Sequence, residues 1–256
     1  MPIAGASHEH RVVPGRRGEE RGAGSYARGV STAPEPRIQI TDGPYVVEGS
    51  VPLVRTAQVE TDHGEPVAWA PDESIDSHDA TVMLCRCGRS ADKPFCDGSH
   101  KRGEPFDGTE TADRGPSADR RKSYAGEDMV LTDDRSLCEH AGFCGDRYTN
   151  AWRMTRETDD PAVREQLISM VKLCPSGALE YSLDEGGEPI EPELPTGVAV
   201  VRDGPLWVRG GVRITGADGV EYETRNRVTL CRCGQSTNKP YCDGTHAEIG
   251  FTDPRG

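Results

Sequence analysis

The sequence predicts an α+β protein, mainly short β-strands and loops, in which two copies of one small β-rich module flank a different, partly helical one. Three observations predict it. The first is an internal duplication: Cys85–His100 and Cys231–His246 agree at eleven of sixteen positions, and each follows a strand-and-turn stretch opening on Asp-Gly-Pro (Asp42, Asp203). The second is a shortage of core. Of 256 residues only 34% are hydrophobic and 5% aromatic, while Gly (30) and Pro (19) are abundant; small modules so composed usually need metals or disulfides as staples. The third is a single well-patterned helix, confined to the middle of the chain.

Taken in order, residues 1–37 read as a disordered arm, rich in Gly, Arg, Ala and Pro and without apolar period. The first module spans 38–115. Its candidate strands are Tyr45–Val47, Val51–Val54 and Val82–Leu84, with Asp42-Gly43-Pro44 as a turn. From the Asp of that turn to the first Cys takes 43 residues here and 28 in the second copy, so the first copy carries an insertion of about 15 residues, placed within 55–80. Residues 101–121 read as a polar linker. The central module, 116–185, holds the helix at 161–172: Asp160 can cap it, Pro161 suits its first position, and Val163, Leu167 and Val171 share one face. Trp152 and Met154 read as core of this module. A second linker, 183–196, leads into the second copy, and 186–256 forms the last module. His63 and His78 in the insertion, and His8 and His10 in the arm, read as solvated side chains.

The nine cysteines sort into three sets of three. Cys85, Cys87 and Cys96 stand with His100; Cys231, Cys233 and Cys242 stand with His246; Cys138, Cys144 and Cys174 form the third. In a reducing compartment they are better read as metal ligands than as disulfides. Cys-x-Cys puts two thiolates on one short extended segment, and Cys-x3-His puts a thiolate and an imidazole one helical turn apart. Three thiolates and one imidazole suit either tetrahedral zinc or a two-iron, two-sulfide cluster.

The repeated segment Cys-x-Cys-x2-Ser-x3-Pro-x-Cys-Asp-Gly-Ser/Thr-His resembles the signature of the CDGSH (mitoNEET-like) iron–sulfur family, and both copies match at every signature position. The resemblance implies a 2Fe–2S cluster on each set, under a β-cap. Family members commonly dimerise with two clusters side by side, so two copies in one chain imply that dimer fused as an intrachain pseudo-dimer, in a chain that is itself a monomer. Lys93 and Lys239, two of only five lysines, each stand three residues before the third Cys of their set. The resemblance favours an outer-shell role for both, tuning the cluster; Arg86 and Arg232 pose the same choice.

The central set differs. Cys138-Glu139-His140-Ala141-Gly142-Phe143-Cys144, followed by Cys174-Pro175, is similar to a ferredoxin run with Ala141 where the second Cys would stand. It resembles the divergent single-cluster ferredoxin domain known beside CDGSH motifs. Three thiolates imply a 3Fe–4S cluster; the alternatives are 4Fe–4S, with His140 or an exogenous ligand on the fourth iron, and zinc.

Function follows from what is present and what is not legible. No dinucleotide loop, phosphate loop or Ser-His-Asp order is legible, so a self-contained enzyme is not expected. The leading reading is an electron carrier; the runner-up is a cluster donor or redox/pH sensor with labile His-ligated clusters. A net charge of −13, from 30 basic and 43 acidic residues, argues against nucleic acid and suits a redox partner or apo-acceptor with a basic docking surface. No apolar run approaches the ~20 residues of a membrane span, and no secretory signal is legible, so a cytoplasmic protein is expected.

Overall fold

Alternation of apolar and polar residues in the first copy yields strands with one buried face. The computed structural model describes residues 35–76 and 80–254. Strand β1 (Arg37–Ile40) runs antiparallel to β2 (Tyr45–Glu48) through the Asp42-Gly43-Pro44 turn. β3 (Leu53–Thr56) follows, and then the insertion, which folds as the hairpin β4 (Gln58–Glu60) and β5 (Pro66–Trp69) with the short β6 (Glu73–Ser74). β7 (Thr81–Leu84) closes this copy against β2. The strand expected at 51–54 begins at Leu53 instead, because Pro52 has no N–H to give a ladder.

The central module is a three-stranded antiparallel sheet, β8 (Lys122–Ala125), β9 (Val130–Asp133) and, after the helices, β10 (Leu179–Ser182), ordered β10-β9-β8. A short helix α1 (Ala151–Met154) precedes α2 (Pro161–Leu173). The Asp160 carboxylate caps α2 by accepting from the Ala162 N–H at 2.8 Å, and Leu167 and Val171 are fully buried against Met129, Leu131 and Met154.

In the second copy β11 (Gly197–Val201), β12 (Leu206–Arg209), β13 (Arg213–Thr215) and β14 (Arg227–Leu230) repeat the plan of β1, β2, β3 and β7, and a short helix α3 (Thr245–Glu248) carries the last His. The copies exchange strands. β3 leaves its own sheet to pair parallel with β11, and β13 pairs parallel with β1, giving sheets ordered β13-β1-β2-β7 and β14-β12-β11-β3-β6. Each exchange covers an edge that an isolated copy would leave open. A core shared by the copies results, with Ile38, Tyr45, Val47 and Leu84 packing among Val198, Leu206, Val208 and Leu230. The expected intrachain pairing of the two copies is thus built into the sheets themselves.

The copies are not equally buried. β1 and β2 alternate buried and partly exposed residues, whereas every residue of β11, β12 and β14 is buried. The second face of the second sheet is covered by the insertion: Trp69 stacks on Trp207 (ring centroids 4.9 Å) and on Phe143 of the central module (5.0 Å). The segment 101–121, expected as a plain linker, straps across the second copy. Thr111 and Ala112 N–H groups both donate to the Lys239 carbonyl, and Glu110 accepts from the Tyr222 hydroxyl at 2.5 Å.

β1 begins at Arg37, one residue inside the segment expected to be disordered; residues 1–34, with His8 and His10, lie outside the described residues, as does His78. His63 is exposed. Among the described residues no helix is long and apolar enough to cross a membrane.

Candidate metal centres

Each CDGSH-type site grows from the end of a strand. After β7 and β14 the chain turns through Cys-x-Cys, and the loop folds back so that the Cys85 N–H donates to the Pro94 carbonyl (2.7 Å) and the Cys96 N–H to Met83 (2.9 Å). Cys231 and Cys242 do the same with Pro240 and Thr229. Both Lys-Pro bonds, at Lys93-Pro94 and Lys239-Pro240, are cis. The Ser90 and Ser236 hydroxyls donate to Phe95 and Tyr241 carbonyls at 2.7 Å, and the Asp97 and Asp243 carboxylates accept from the N–H groups of Ser99 and Thr245, holding the turn that carries each His. Burial would raise Asp243, but its hydrogen bonds from Thr245 and Thr237 outweigh that and bring it down to about 2, so it accepts as a carboxylate.

The ligand atoms come together in pairs. Cys85 Sγ lies 3.9 Å from Cys87 Sγ, and Cys96 Sγ lies 3.4 Å from His100 Nδ1; the second copy shows 3.7 Å and 3.2 Å for the same pairs. Two thiolates on one tetrahedral metal at about 2.3 Å must stand about 3.8 Å apart, so each Cys-x-Cys pair is spaced to hold one metal. Yet among the described residues no three Cys, His, Asp or Glu side chains close around a point able to hold a single ion. Each set thus offers two close ligand pairs, Cys with Cys and Cys with His, able to hold a metal apiece. Within each Cys-x-Cys pair one sulfur accepts the other's S–H, so the pair releases one proton readily and holds the second; metal binding must displace both.

The two sites stand back to back. Gly88 and Gly234, the residues behind each Cys-x-Cys pair, have φ of +75° and +80° and face each other's loops. A methyl on Gly88 would fall 2.8 Å from the Cys233 carbonyl carbon, and one on Gly234 2.7 Å from the Cys87 carbonyl oxygen. Only glycine permits both the left-handed backbone and the approach. The Tyr45 hydroxyl crosses the same boundary, donating to the Cys231 carbonyl at 2.8 Å.

Arg86 and Arg232 are fully buried clamps rather than surface cations. Arg86 donates to the carbonyls of Thr41 and Gly108; Arg232 donates to Gly204 and Val201 and pairs with Asp253. Each ties the Asp-Gly-Pro turn to its Cys-x-Cys loop. Lys93 and Lys239 spend their ammonium groups on the Ser90 and Ser236 carbonyls, at 2.7 Å each, and the Lys239 charge also favours the Cys231 thiolate.

The central set is assembled by β9, α1 and α2. Cys138 follows a 3-10 turn capped by Asp134, Cys144 lies in the loop before α1, and Cys174 ends α2. All three line one cavity of about 220 Å³ with Glu139, His140, Ala141, Trp152 and Pro175. Trp152, expected as core, packs partly buried against the core of the central module and also walls this cavity, with the Arg135 guanidinium over its ring; Met154 is buried core. The Arg135 guanidinium approaches the Cys138 sulfur at 3.6 Å, while burial pushes Cys138 and Cys144 up. Three thiols around one cavity of this size are a donor set able to hold an iron–sulfur cluster. Ala141 offers no ligand atom. His140 is exposed, has φ of +64°, and sets its ring against Gly244 of the second CDGSH motif.

This loop is held from both sides. In the insertion, the Gln58 amide donates to the Ala141 carbonyl (2.7 Å) and the Trp69 indole N–H to the Leu173 carbonyl (3.0 Å). From β14, the fully buried Arg227 donates to the carbonyls of Val171, Lys172, Cys174 and Leu179, at 2.9–3.0 Å, a cation seated on the C-terminal carbonyls of α2. Glu139 is buried beside Thr229 and the Cys242 thiol, and burial pushes its carboxyl up to about 8.

Paired thiolate and imidazole ligands on two fused β-caps, with a three-thiol cavity beside them, define an iron–sulfur protein. Comparison with known families agrees: residues 42–101 and 203–247 match the family described as iron-binding zinc finger, CDGSH type, and residues 124–184 match the divergent 4Fe-4S mono-cluster family. Two CDGSH-type regions thus flank a divergent 4Fe-4S mono-cluster region in this chain. Neither the curated proteins nor the solved structures gave a significant match.

Proposed function

We propose that the protein is a non-catalytic electron carrier with two 2Fe–2S clusters and one 3Fe–4S cluster, exchanging single electrons with partner proteins in the cytoplasm. A bound cluster of this kind takes up and releases one electron. The chain's residues supply the rest. Cys85 and Cys87 hold one iron and Cys96 with His100 the other; Cys231, Cys233, Cys242 and His246 do the same in the second copy; Cys138, Cys144 and Cys174 hold the central irons, one thiolate each. Lys93 and Lys239 brace the ligand loops from outside. Replacing one thiolate by neutral imidazole makes each site one charge less negative, which raises its potential above the roughly −400 mV of plant-type all-Cys clusters. The acidic surface, net −13, steers a basic partner.

The observation that supports this reading is the back-to-back packing of the two Cys-x-Cys loops at Gly88 and Gly234 across a core that both copies share. The test is an anaerobic reductive titration followed by absorption: a carrier shows reversible one-electron steps at each site. Mixing with an apo-ferredoxin separates the alternative, since a cluster donor or sensor loses its colour to the acceptor and a carrier keeps it. Irreversible bleaching on reduction, or rapid transfer, would overturn the carrier reading. The corner beside His100 opens to the surface, which is the feature that favours the donor alternative.

A further inference from the structure

The two CDGSH motifs are nearly identical in sequence but meet different neighbours. In the first copy, a methyl built on Gly98 would find nothing within 4 Å; in the second, one built on Gly244 would meet the Glu139 carbonyl oxygen and the His140 ring at 3.0 Å. The corner beside His100 is lined by the Asp42-Gly43-Pro44 turn and the chain's own 103–106 segment. The matching corner beside His246 is lined by Asp203-Gly204-Pro205 and then by Gln58, Trp69, Glu139, His140 and Ala141, from the insertion and the central loop. Cys96 is partly exposed, whereas Cys242 is 2% exposed.

The same asymmetry recurs where the repeats differ in residue type. Thr81 opens β7, but Arg227 holds the equivalent place in β14 and reaches the Cys174 carbonyl. Asn238, where the first copy has Asp92, donates to the Ser136 carbonyl at 2.7 Å. Glu139, next to the central ligand Cys138, is buried against Cys242. Each of these contacts ties the central module to the second motif or to the strand that leads into it.

We propose that the two CDGSH sites are unequal stations on one line. The second site, more enclosed by the insertion and the central loop, is the internal station between the central set and the first site, and the first site, around His100, is the terminal that meets an outside partner. The proposal rests on the electron-carrier reading. Each hop moves one electron and neither makes nor breaks a bond. A one-electron protein donor at one end is oxidised by one electron, and a one-electron protein acceptor at the other is reduced by one.

The test uses the cluster-loaded full chain under anaerobic conditions, with His100→Cys and His246→Cys variants to label each site through its shifted absorption and paramagnetic-resonance signature. A bulky ferrous chelator, bathophenanthroline disulfonate, should strip the first site in a fast phase. The second should be lost at least about tenfold more slowly, because the central loop must open locally first. Trp69→Ala, which keeps every ligand residue but releases the insertion from Phe143, Trp207 and the Leu173 carbonyl, should speed the slow phase and leave the fast phase alone. In the resonance experiment, the spin relaxation of the second site's signal should respond to the redox state of the central set, and that of the first should not. Equal stripping rates, with reversible reduction intact, would overturn the inference. Unequal stripping without reversible reduction would instead overturn the carrier reading.

Discussion

Substituting Gly88 with alanine tests how tightly the two Cys-x-Cys loops press on each other. At φ +75° an L-residue costs about 1–2 kcal/mol. The new methyl would also meet the main chain of Cys233, 2.8 Å from its carbonyl carbon, and the chain leading into it is held by the ladder of β14 and, at Cys231, by the Tyr45 hydroxyl. Overpacking against such a neighbour adds about 1–3 kcal/mol. Gly98→Ala is the control: its φ is +81° and the added methyl meets open space, so it bears the backbone cost alone. At about 2–4 °C per kcal/mol, Gly88→Ala should melt roughly 2–12 °C below Gly98→Ala. The assay is an anaerobic thermal melt of loaded protein followed by cluster absorption. Because the clash partner lies in the other copy, both CDGSH sites should bleach early. Equal melting of the two variants, or bleaching confined to the first site, would refute the back-to-back packing.

Gly43→Ala should damage the first site alone, since the methyl falls against the His100 ring, 2.8 Å from two of its carbons; resonance spectra of the two labelled sites check it. Burial and the nearby Arg232 lower His246, so the folded site favours the neutral, ligating ring; as pH falls below about 6.5 the released state takes the proton first and the site loses stability. His100→Cys with His246→Cys should therefore slow acid bleaching between pH 5 and 7 and lower the 2Fe–2S potential, and unchanged bleaching rates would count against both ligand assignments. Arg227→Met removes the donor to four carbonyls around Cys174, of which those of Val171 and Leu179 are buried, and should cost about 1–3 kcal/mol for each buried carbonyl left unpaired, with the central cluster lost before the others in a denaturant titration. A chain ending at residue 185 loses β11 and β13, the partners of β3 and β1, and should dimerise through the exposed strands or precipitate; a well-behaved loaded monomer in ultracentrifugation would contradict the strand exchange.

The parts of the fold that local chemistry dictates were legible in the sequence. Asp160 and Pro161 mark the start of α2, Leu167 and Val171 its buried face, and the spacing difference between copies located the insertion within 55–80. Pairing between distant strands was not legible: nothing in the short apolar runs of β3 and β13 says which sheet they join, and the exchange follows from edges that only the assembled core reveals. Trp152 does pack on the core beside Met154, but its second role as a wall of the ligand cavity was not legible, because an aromatic there looks the same in sequence either way. The strap at 101–121 looked like a linker because its hold on Lys239 is largely main-chain. The inequality of the two sites could not be read from Gly98 and Gly244, which sit in near-identical motifs; the difference lies in Glu139 and His140, more than a hundred residues before Gly244.

The central claim, three iron–sulfur sites on one chain, is tested most directly by metal and acid-labile sulfide analysis of strictly anaerobic protein, with low-temperature paramagnetic resonance recorded before any reductant is added. The account predicts about seven irons per chain, two at each CDGSH site and three in the middle, with inorganic sulfide present and an odd-electron signal from the oxidised central cluster. A colourless protein holding zinc and no sulfide would contradict it outright. A silent sample with about eight irons would overturn the three-iron centre and make His140 the first candidate for its fourth ligand.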